Sequence, residues 1–200
     1  MRMKRAVGRE LHLYDTLTRQ IQPVKASDGE RVRIYCCGPT VYRDAHIGNL
    51  RTFLLADLAA RTLQFSGLQV DLVQNITDVG HMSEDFEEDK MLAQSRSEKR
   101  DPYEIAREYE THFHRDCAPL LITKARLYPR ASECIELMVK IISRLMDQGL
   151  AYKGSDGSVY FDATKAHEYG ALSGNRLDAL KPGHRYEFTE EGAKRFHAVS

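Results

Sequence analysis

The sequence predicts an α/β protein built on a parallel β-sheet, and three features support this prediction. Alternating apolar residues predict strands over residues 31–37 and 69–74. Between them, apolar residues at helical spacing predict a helix over residues 49–66, which Gly67 ends. A strand, a helix and a strand in this order form a βαβ unit, so the two strands should run parallel with a right-handed crossover.

The composition is that of an ordinary soluble globular protein. Of its 200 residues, 42% are hydrophobic and 29% are charged. Lys plus Arg equals Asp plus Glu at 29 each, and this balance gives no basic footprint for nucleic acid. No signal-peptide core and no run of about 18 apolar residues is present. Because no such run is present, we expect no membrane partner. The four cysteines form no CxxC pair, so we expect free thiols and a cytoplasmic location.

The first strand leads into the segment IYCCGPTVYRDAHIGN at residues 34–49. Strand alternation places Cys36 with the apolar residues of the strand and Cys37 on the opposite face. We therefore expect Cys36 in the core and Cys37 at the strand end, beside Gly38. The alternative for Cys37 is a buried small apolar side chain, which is the usual environment of a free cysteine.

The step His46-Ile47-Gly48-Asn49 lies where the predicted helix begins. The free N–H groups of a first helical turn and the helix dipole favour an anion. Gly48 permits close approach of a ligand, since it has no Cβ. The His46 imidazole and the Asn49 carboxamide can donate to phosphate oxygens during adenylyl transfer. The alternative is structural: a turn histidine followed by an asparagine that caps the helix.

The second strand is followed by Asn75-Ile76-Thr77-Asp78. The carboxyl ends of parallel strands meet at one edge of a sheet, where α/β proteins bind ligands. Thr77 and Asp78 can therefore bind a substrate amine or ribose. Alternatively, they cap the following helix.

The pattern of the remaining chain predicts a smaller set of elements. In order, these are an exposed charged helix-loop segment at 82–100, a helix that begins at Asp101-Pro102, a short third strand at 125–128, a helix from Ser132 to Gly149, a β-hairpin at 150–162 and a weakly patterned polar stretch at 163–200. The string His112, His114 and Cys117 has an HxHxxC spacing, but only the last two share a helix face, so it is a weak metal candidate.

Several segments of the chain resemble the cysteinyl-tRNA synthetases, which are class I aminoacyl-tRNA synthetases. CGPTVY followed by HIGN is the specific part of the resemblance. The matching segments are LHLYDTLTRQ at 11–20, IYCCGPTVYRDAHIGNLRTF at 34–53, LVQNITDVG at 72–80, KARLYPRASECI at 124–135, LMDQGLAY at 145–152, SVYFD at 158–162 and YGALSG at 169–174. They cover nearly the whole chain, in order.

The resemblance implies an activity, a fold and a domain organisation. The activity is ATP-dependent conversion of cysteine to cysteinyl-adenylate and pyrophosphate, followed by transfer of cysteine to tRNA-Cys, with Mg²⁺ and Zn²⁺ as cofactors. The fold is the first half of a Rossmann-like, HUP-type parallel sheet, plus the start of a connective insertion. The implied regions are an N-terminal extension packing on the catalytic domain at 1–30, the N-terminal half of that domain at 31–130 and the truncated start of the insertion at 131–200.

The resemblance also implies roles for individual residues. His46 and Asn49 match the catalytic signature that contacts the ATP phosphates, and Gly48 matches its glycine. Cys37 matches a zinc ligand, and in the family the zinc takes the substrate thiolate as a further ligand. This chemistry selects cysteine over serine, because a soft sulfur binds zinc better than a hydroxyl oxygen does. Residues that match positions around the amino-acid pocket are Cys37, Gly38, Thr40 and Thr77.

Three parts of the family pattern have no match in these 200 residues. They are the remaining zinc ligands, the Lys-Met-Ser-Lys-Ser loop and the helical region that reads the anticodon. We therefore expect little or no aminoacylation activity from the isolated chain. We also expect the protein to be a monomer. The alternatives are the related cysteine ligase of mycothiol biosynthesis, a non-catalytic paralog that acts as a binding protein, and an unrelated nucleotidyltransferase of the same superfamily.

Overall fold

A computed structural model describes residues 10–26, 28–80, 90–155, 157–166 and 168–174. Its strands are β1 (His12–Asp15), β2 (Gln20–Pro23), β3 (Arg31–Cys36), β4 (Gln69–Gln74), β5 (Ala151–Lys153) and β6 (Val159–Phe161). Its helices are α1 (Ile47–Phe65), α2 (Lys90–Glu98), α3 (Pro102–Cys117) and α4 (Ile135–Asp147), with short 3₁₀ turns at Ser132–Cys134 and Ala163–Lys165. Residues 82–89 of the predicted charged helix-loop segment lie outside the described residues.

Strands β3 and β4 form the predicted parallel pair, in register from Arg31 opposite Gln69 to Cys36 opposite Gln74. The pairing continues beyond both strands through a parallel bridge between Thr40 and Thr77. The Thr77 N–H donates to the Pro39 carbonyl at 3.0 Å, and the Val41 N–H donates to the Thr77 carbonyl at 3.1 Å. The CGPT turn is therefore held against residues 75–77.

The predicted third strand is present only as isolated parallel bridges. Leu127 pairs with Val73, and Arg130 pairs with Ile76. Pro129 lies between them and has no N–H, so a continuous ladder cannot form there. The described sheet is thus a small parallel unit ordered β3, β4 and then the segment 127–130.

Helix α1 begins two residues before the predicted position, because His46 acts as its N-cap. Phe53 and Leu63 are buried, whereas Leu54 and Leu58, which the pattern places on the apolar stripe, are exposed. The spacing therefore predicts the helix correctly but assigns it too wide a buried face.

Helix α3 closes the core. Its start is confirmed: the Asp101 carboxylate accepts hydrogen bonds from the N–H groups of Tyr103 at 2.8 Å and Glu104 at 3.3 Å, and Pro102 occupies the first turn. The Phe113 and Phe53 rings meet edge to face, 5.2 Å apart. The buried cluster comprises Val41, Phe53, Ile76, Ala106, Phe113 and Cys117.

The described chain divides into two compact units. The first contains residues 10–13 and Gln22–Cys134, and the second contains Tyr14–Ile21 and residues 135–174. In the second unit, β5 and β6 form the predicted antiparallel hairpin, on which Tyr152 stacks against Tyr160 at 5.8 Å. None of the described helices is long and apolar enough to span a bilayer.

Candidate functional site

The carboxyl ends of β3 and β4 bring Cys37, Gly38, Thr40 and Thr77 to one edge of the sheet. The loop that follows Thr40 leads to His46, Gly48 and Asn49 at the start of α1. All seven residues that the family resemblance assigns to the site lie in the first unit. They form a strand-edge group and a helix-start group.

The two adjacent cysteines occupy different environments. Cys36 is half-buried against the core, and its thiol lies 3.3 Å from the Cys37 carbonyl. Burial raises the pKa of the Cys36 thiol, and the neighbouring Cys37 adds to that shift. Cys37 is exposed at the strand end. The assignment from strand alternation is confirmed, and the alternative of a buried Cys37 is wrong.

The exposure of Cys37 and the burial of Cys117 predict an order of alkylation by iodoacetamide near pH 8. Cys37 is expected to react well before Cys117, because burial raises the pKa of Cys117 to about 11 and leaves on the order of one thiol in a thousand ionised. Peptide mapping by mass spectrometry measures the order. In denaturant both should react alike, and equal rates in the native protein would contradict the exposed position of Cys37.

His46 and Asn49 cap helix α1 reciprocally. The His46 Nδ1 accepts a hydrogen bond from the Gly48 N–H at 3.1 Å, and the Asn49 Oδ1 accepts one from the His46 N–H at 3.2 Å. Because Nδ1 is an acceptor, the proton of the neutral ring is on Nε2. Capping thus uses one acceptor of each side chain and leaves Nε2–H and Nδ2–H₂ as donors.

The capping geometry changes two expectations for the helix start. The Gly48 N–H is bonded to the His46 ring, and the Asn49 N–H donates to the His46 carbonyl at 2.9 Å, so these two groups are not free for an anion. A Cβ on Gly48 would lie 2.9 Å from the His46 Cε1. Glycine at this position therefore makes room for the imidazole ring.

Asp78 is a structural residue rather than an available ligand. Its side chain is buried, and the residue is 1% exposed. Its carboxylate accepts hydrogen bonds from the Ser132 N–H at 2.9 Å and the Ser132 hydroxyl at 2.6 Å, and the Arg107 guanidinium lies 3.6 Å away. Asp78 therefore caps the distant turn at Ser132–Cys134, whereas the capping alternative places it at the start of the following helix.

A cluster of ion pairs around the buried Glu110 was not predicted. Glu110 is 6% exposed and binds Arg130 through two bonds, Nε to Oε2 at 2.8 Å and Nη2 to Oε1 at 2.9 Å. Arg107 approaches the same carboxylate at 3.3 Å, and Glu133 binds Arg130 at 2.8 Å. The hydrogen bonds to Glu110, followed by those to Glu133, raise the pKa of Arg130.

The members of the HxHxxC string have separate partners. The His112 Nδ1 lies 2.7 Å from the Asp44 carboxylate, and the His114 ring packs edge to face on Tyr128. Burial lowers the pKa of His114. Cys117 belongs to the core. In the part of the chain that the structure describes, no three His, Cys, Asp or Glu residues are placed to hold a metal ion.

The strand-edge group also includes Asn75, which sequence reasoning missed as a contributor. Its side chain contacts Tyr35, Gly38 and Thr77. The available signal was an asparagine directly after a strand, because Asn side chains often bond to nearby backbone and hydroxyl groups at such positions.

A family model and several individual proteins that resemble this chain all belong to one class of tRNA synthetase. Residues 23–198 match the family described as the catalytic domain of class I tRNA synthetases (C). A cysteine–tRNA ligase of Deinococcus radiodurans is 42% identical over 181 residues, which are 90% of this chain and 36% of that protein. Cysteine–tRNA ligases of Pyrococcus horikoshii and Thermus thermophilus are 39% and 40% identical, over 88% and 90% of this chain and 35% and 38% of their own lengths.

Proposed function

This chain belongs to the catalytic-domain family of class I cysteinyl-tRNA synthetases, and from that premise we propose that it contributes one wall of a cysteine-activating site. The complete reaction is the joining of cysteine to ATP, with release of pyrophosphate, and transfer of cysteine to tRNA-Cys. The observation that carries the proposal is the capped start of α1, which presents two side-chain donors after a strand end with an exposed cysteine.

The helix-start group would bind the ATP phosphates. The Nε2–H of His46 and the Nδ2–H₂ of Asn49 are hydrogen-bond donors. The capping hydrogen bonds hold the His46 ring and the Asn49 amide in place. Donors that are already held in place stabilise the charge that develops on phosphate oxygens, because they do not have to reorient during the reaction. Mg²⁺ would accompany ATP, as it does in phosphoryl-transfer sites generally.

The strand-edge group would bind the cysteine substrate through Cys37, Gly38, Thr40 and Thr77. The family implies zinc at Cys37, but the described residues place no three His, Cys, Asp or Glu side chains where they could hold a metal ion. A structural or catalytic zinc ion needs at least three protein ligands. The described residues therefore do not fit a zinc site by themselves, and we derive no step through the metal.

The chain spans about 36% of the length of the relatives it matches. We propose that the small parallel unit belongs to a Rossmann-like, HUP-type sheet, with an extension at 1–30, half of the catalytic domain at 31–130 and an insertion beginning at 131. We also propose that these 200 residues alone have little aminoacylation activity. Robust cysteine-dependent ATP–pyrophosphate exchange by the purified chain would overturn this last point.

Asn49→Asp tests the proposed phosphate contact. An aspartate oxygen can still accept the His46 N–H, so the cap and the thermal stability should be retained. The amide donor is replaced by a negatively charged oxygen, so the affinity for ATP should fall by at least about tenfold. Isothermal titration calorimetry with MgATP measures the change.

The matched control is Gln64→Glu, which adds the same charge near the other end of α1. It should leave ATP affinity within about twofold, because surface charges more than a Debye length of about 10 Å apart are largely screened. Equal losses in both variants, or an unchanged affinity in Asn49→Asp, would refute the phosphate-binding role.

A further inference from the structure

Asn75 connects the two strand ends that form the strand-edge group. Its Oδ1 accepts hydrogen bonds from the Gly38 N–H at 3.0 Å and the Tyr35 hydroxyl at 2.8 Å. Its Nδ2 donates to the Thr77 Oγ1 at 3.1 Å. The Asn75 side chain therefore links Gly38, which follows β3, to Thr77, which follows β4.

The direction of these hydrogen bonds follows from chemistry. A backbone N–H can only donate, so the group of Asn75 that faces Gly38 must be the carbonyl oxygen Oδ1. The amide nitrogen then faces Thr77, and the Thr77 oxygen must act as the acceptor. The hydroxyl hydrogen of Thr77 consequently cannot point toward Asn75 and remains available as a donor.

We propose that Asn75 is a positioning residue that fixes the Thr77 hydroxyl as a hydrogen-bond donor to the carboxylate of the bound amino acid. This inference rests on the proposed function, which places Thr77 in the cysteine pocket. One lone pair of Oγ1 is already used by Asn75, which favours an acceptor group of the substrate over its ammonium group. A hydroxyl that accepts one hydrogen bond is also polarised to donate a stronger one.

Asn75→Asp reverses this arrangement with almost no change of shape. The aspartate keeps an oxygen toward Gly38 and Tyr35, and it places a second acceptor against Thr77. The Thr77 hydroxyl then donates to the aspartate and is lost to the substrate. We expect the affinity of the chain for L-cysteine, measured by isothermal titration calorimetry, to fall at least about tenfold.

The added negative charge could also repel a carboxylate, and a double-mutant cycle separates the two causes. In a Thr77→Val background, Asn75→Asp should weaken L-cysteine binding by less than about twofold, because no hydroxyl remains to be reversed. A loss of the same size in both backgrounds would show simple charge repulsion and would overturn the inference.

Tyr35→Phe is the matched control for the network. It removes one hydrogen bond to the Asn75 Oδ1 and leaves the contact between Nδ2 and Thr77 in place. It should leave L-cysteine affinity within about twofold. If wild-type chain binds L-cysteine and Asn75→Asp binds it equally well, the inference is wrong while the proposed function stands.

The hydrogen bond between Asn75 and Thr77 can also be tested by NMR in the absence of substrate. In ¹H–¹⁵N spectra, Thr77→Val should shift the side-chain amide resonances of Asn75 and speed their exchange with water, whereas Thr40→Val should not. If the wild-type chain binds no L-cysteine, the proposed function fails and the substrate part of the inference falls with it. Unchanged Asn75 resonances in Thr77→Val would overturn the hydrogen-bond arrangement itself.

Discussion

Gly38→Ala is expected to lower the free energy of unfolding by about 3 kcal/mol or more, at the upper end of the range for overpacking. A Cβ at this position would overlap the Asn75 carbonyl oxygen and lie 2.8 Å from the Asn75 carbonyl carbon. Both are backbone atoms, and hydrogen bonds join the two segments on either side of the contact. Neither can move without separating the ends of β3 and β4.

Chemical denaturation monitored by circular dichroism measures this effect, with Gly29→Ala as the control. Gly29 has a φ of +76°, and an added Cβ there meets no atom within 4 Å. Its substitution carries only the cost of a left-handed backbone, about 1 kcal/mol. If Gly38→Ala is no more destabilising than Gly29→Ala, the close approach of the two strand ends is wrong.

Glu110→Gln is expected to destabilise the protein by about 1.5 to 3 kcal/mol, because Arg130, whose side chain is 31% exposed, loses its bidentate charged partner and keeps only Glu133. Glutamine keeps the size of the side chain, so the loss reports the charge and not a cavity. Glu108→Gln is the matched control on the same helix. Its carboxylate is 43% exposed and pairs with Arg100 at 2.8 Å, a contact expected to contribute at most about 1 kcal/mol.

Replacing both partners tests the interpretation further. The double variant Glu110→Met with Arg130→Met removes both charges together, so it should be more stable than Glu110→Gln alone. Equal destabilisation by Glu110→Gln and Glu108→Gln would show that the cluster does not carry the expected energy.

Local patterns predicted the fold wherever the determining residues are neighbours in sequence. Alternation identified β3 and β4 and separated Cys36 from Cys37, because side-chain direction in a strand depends only on the backbone. The start of α1 was predicted two residues late, since a histidine is not among the usual N-cap residues. The geometry of the neighbouring glycine and asparagine decides this cap.

The contacts that the sequence did not predict join residues that are far apart along the chain. Asn75 meets Gly38 across 37 residues, and Asp78 meets Ser132 across 54. Glu110 reaches Arg130 across 20 residues, and its position on α3 gives no hint that it is buried. Such pairs depend on how the elements pack, which periodicity does not specify.

The most direct test of the central proposal is chemical-shift mapping on the ¹⁵N-labelled chain, titrated first with MgATP and then with L-cysteine. MgATP is expected to shift the resonances of His46, Gly48 and Asn49, including the ring and side-chain amide nitrogens. L-cysteine is expected to shift those of Gly38, Thr40 and Thr77. No saturable shifts, or shifts confined to other parts of the chain, would refute the proposal.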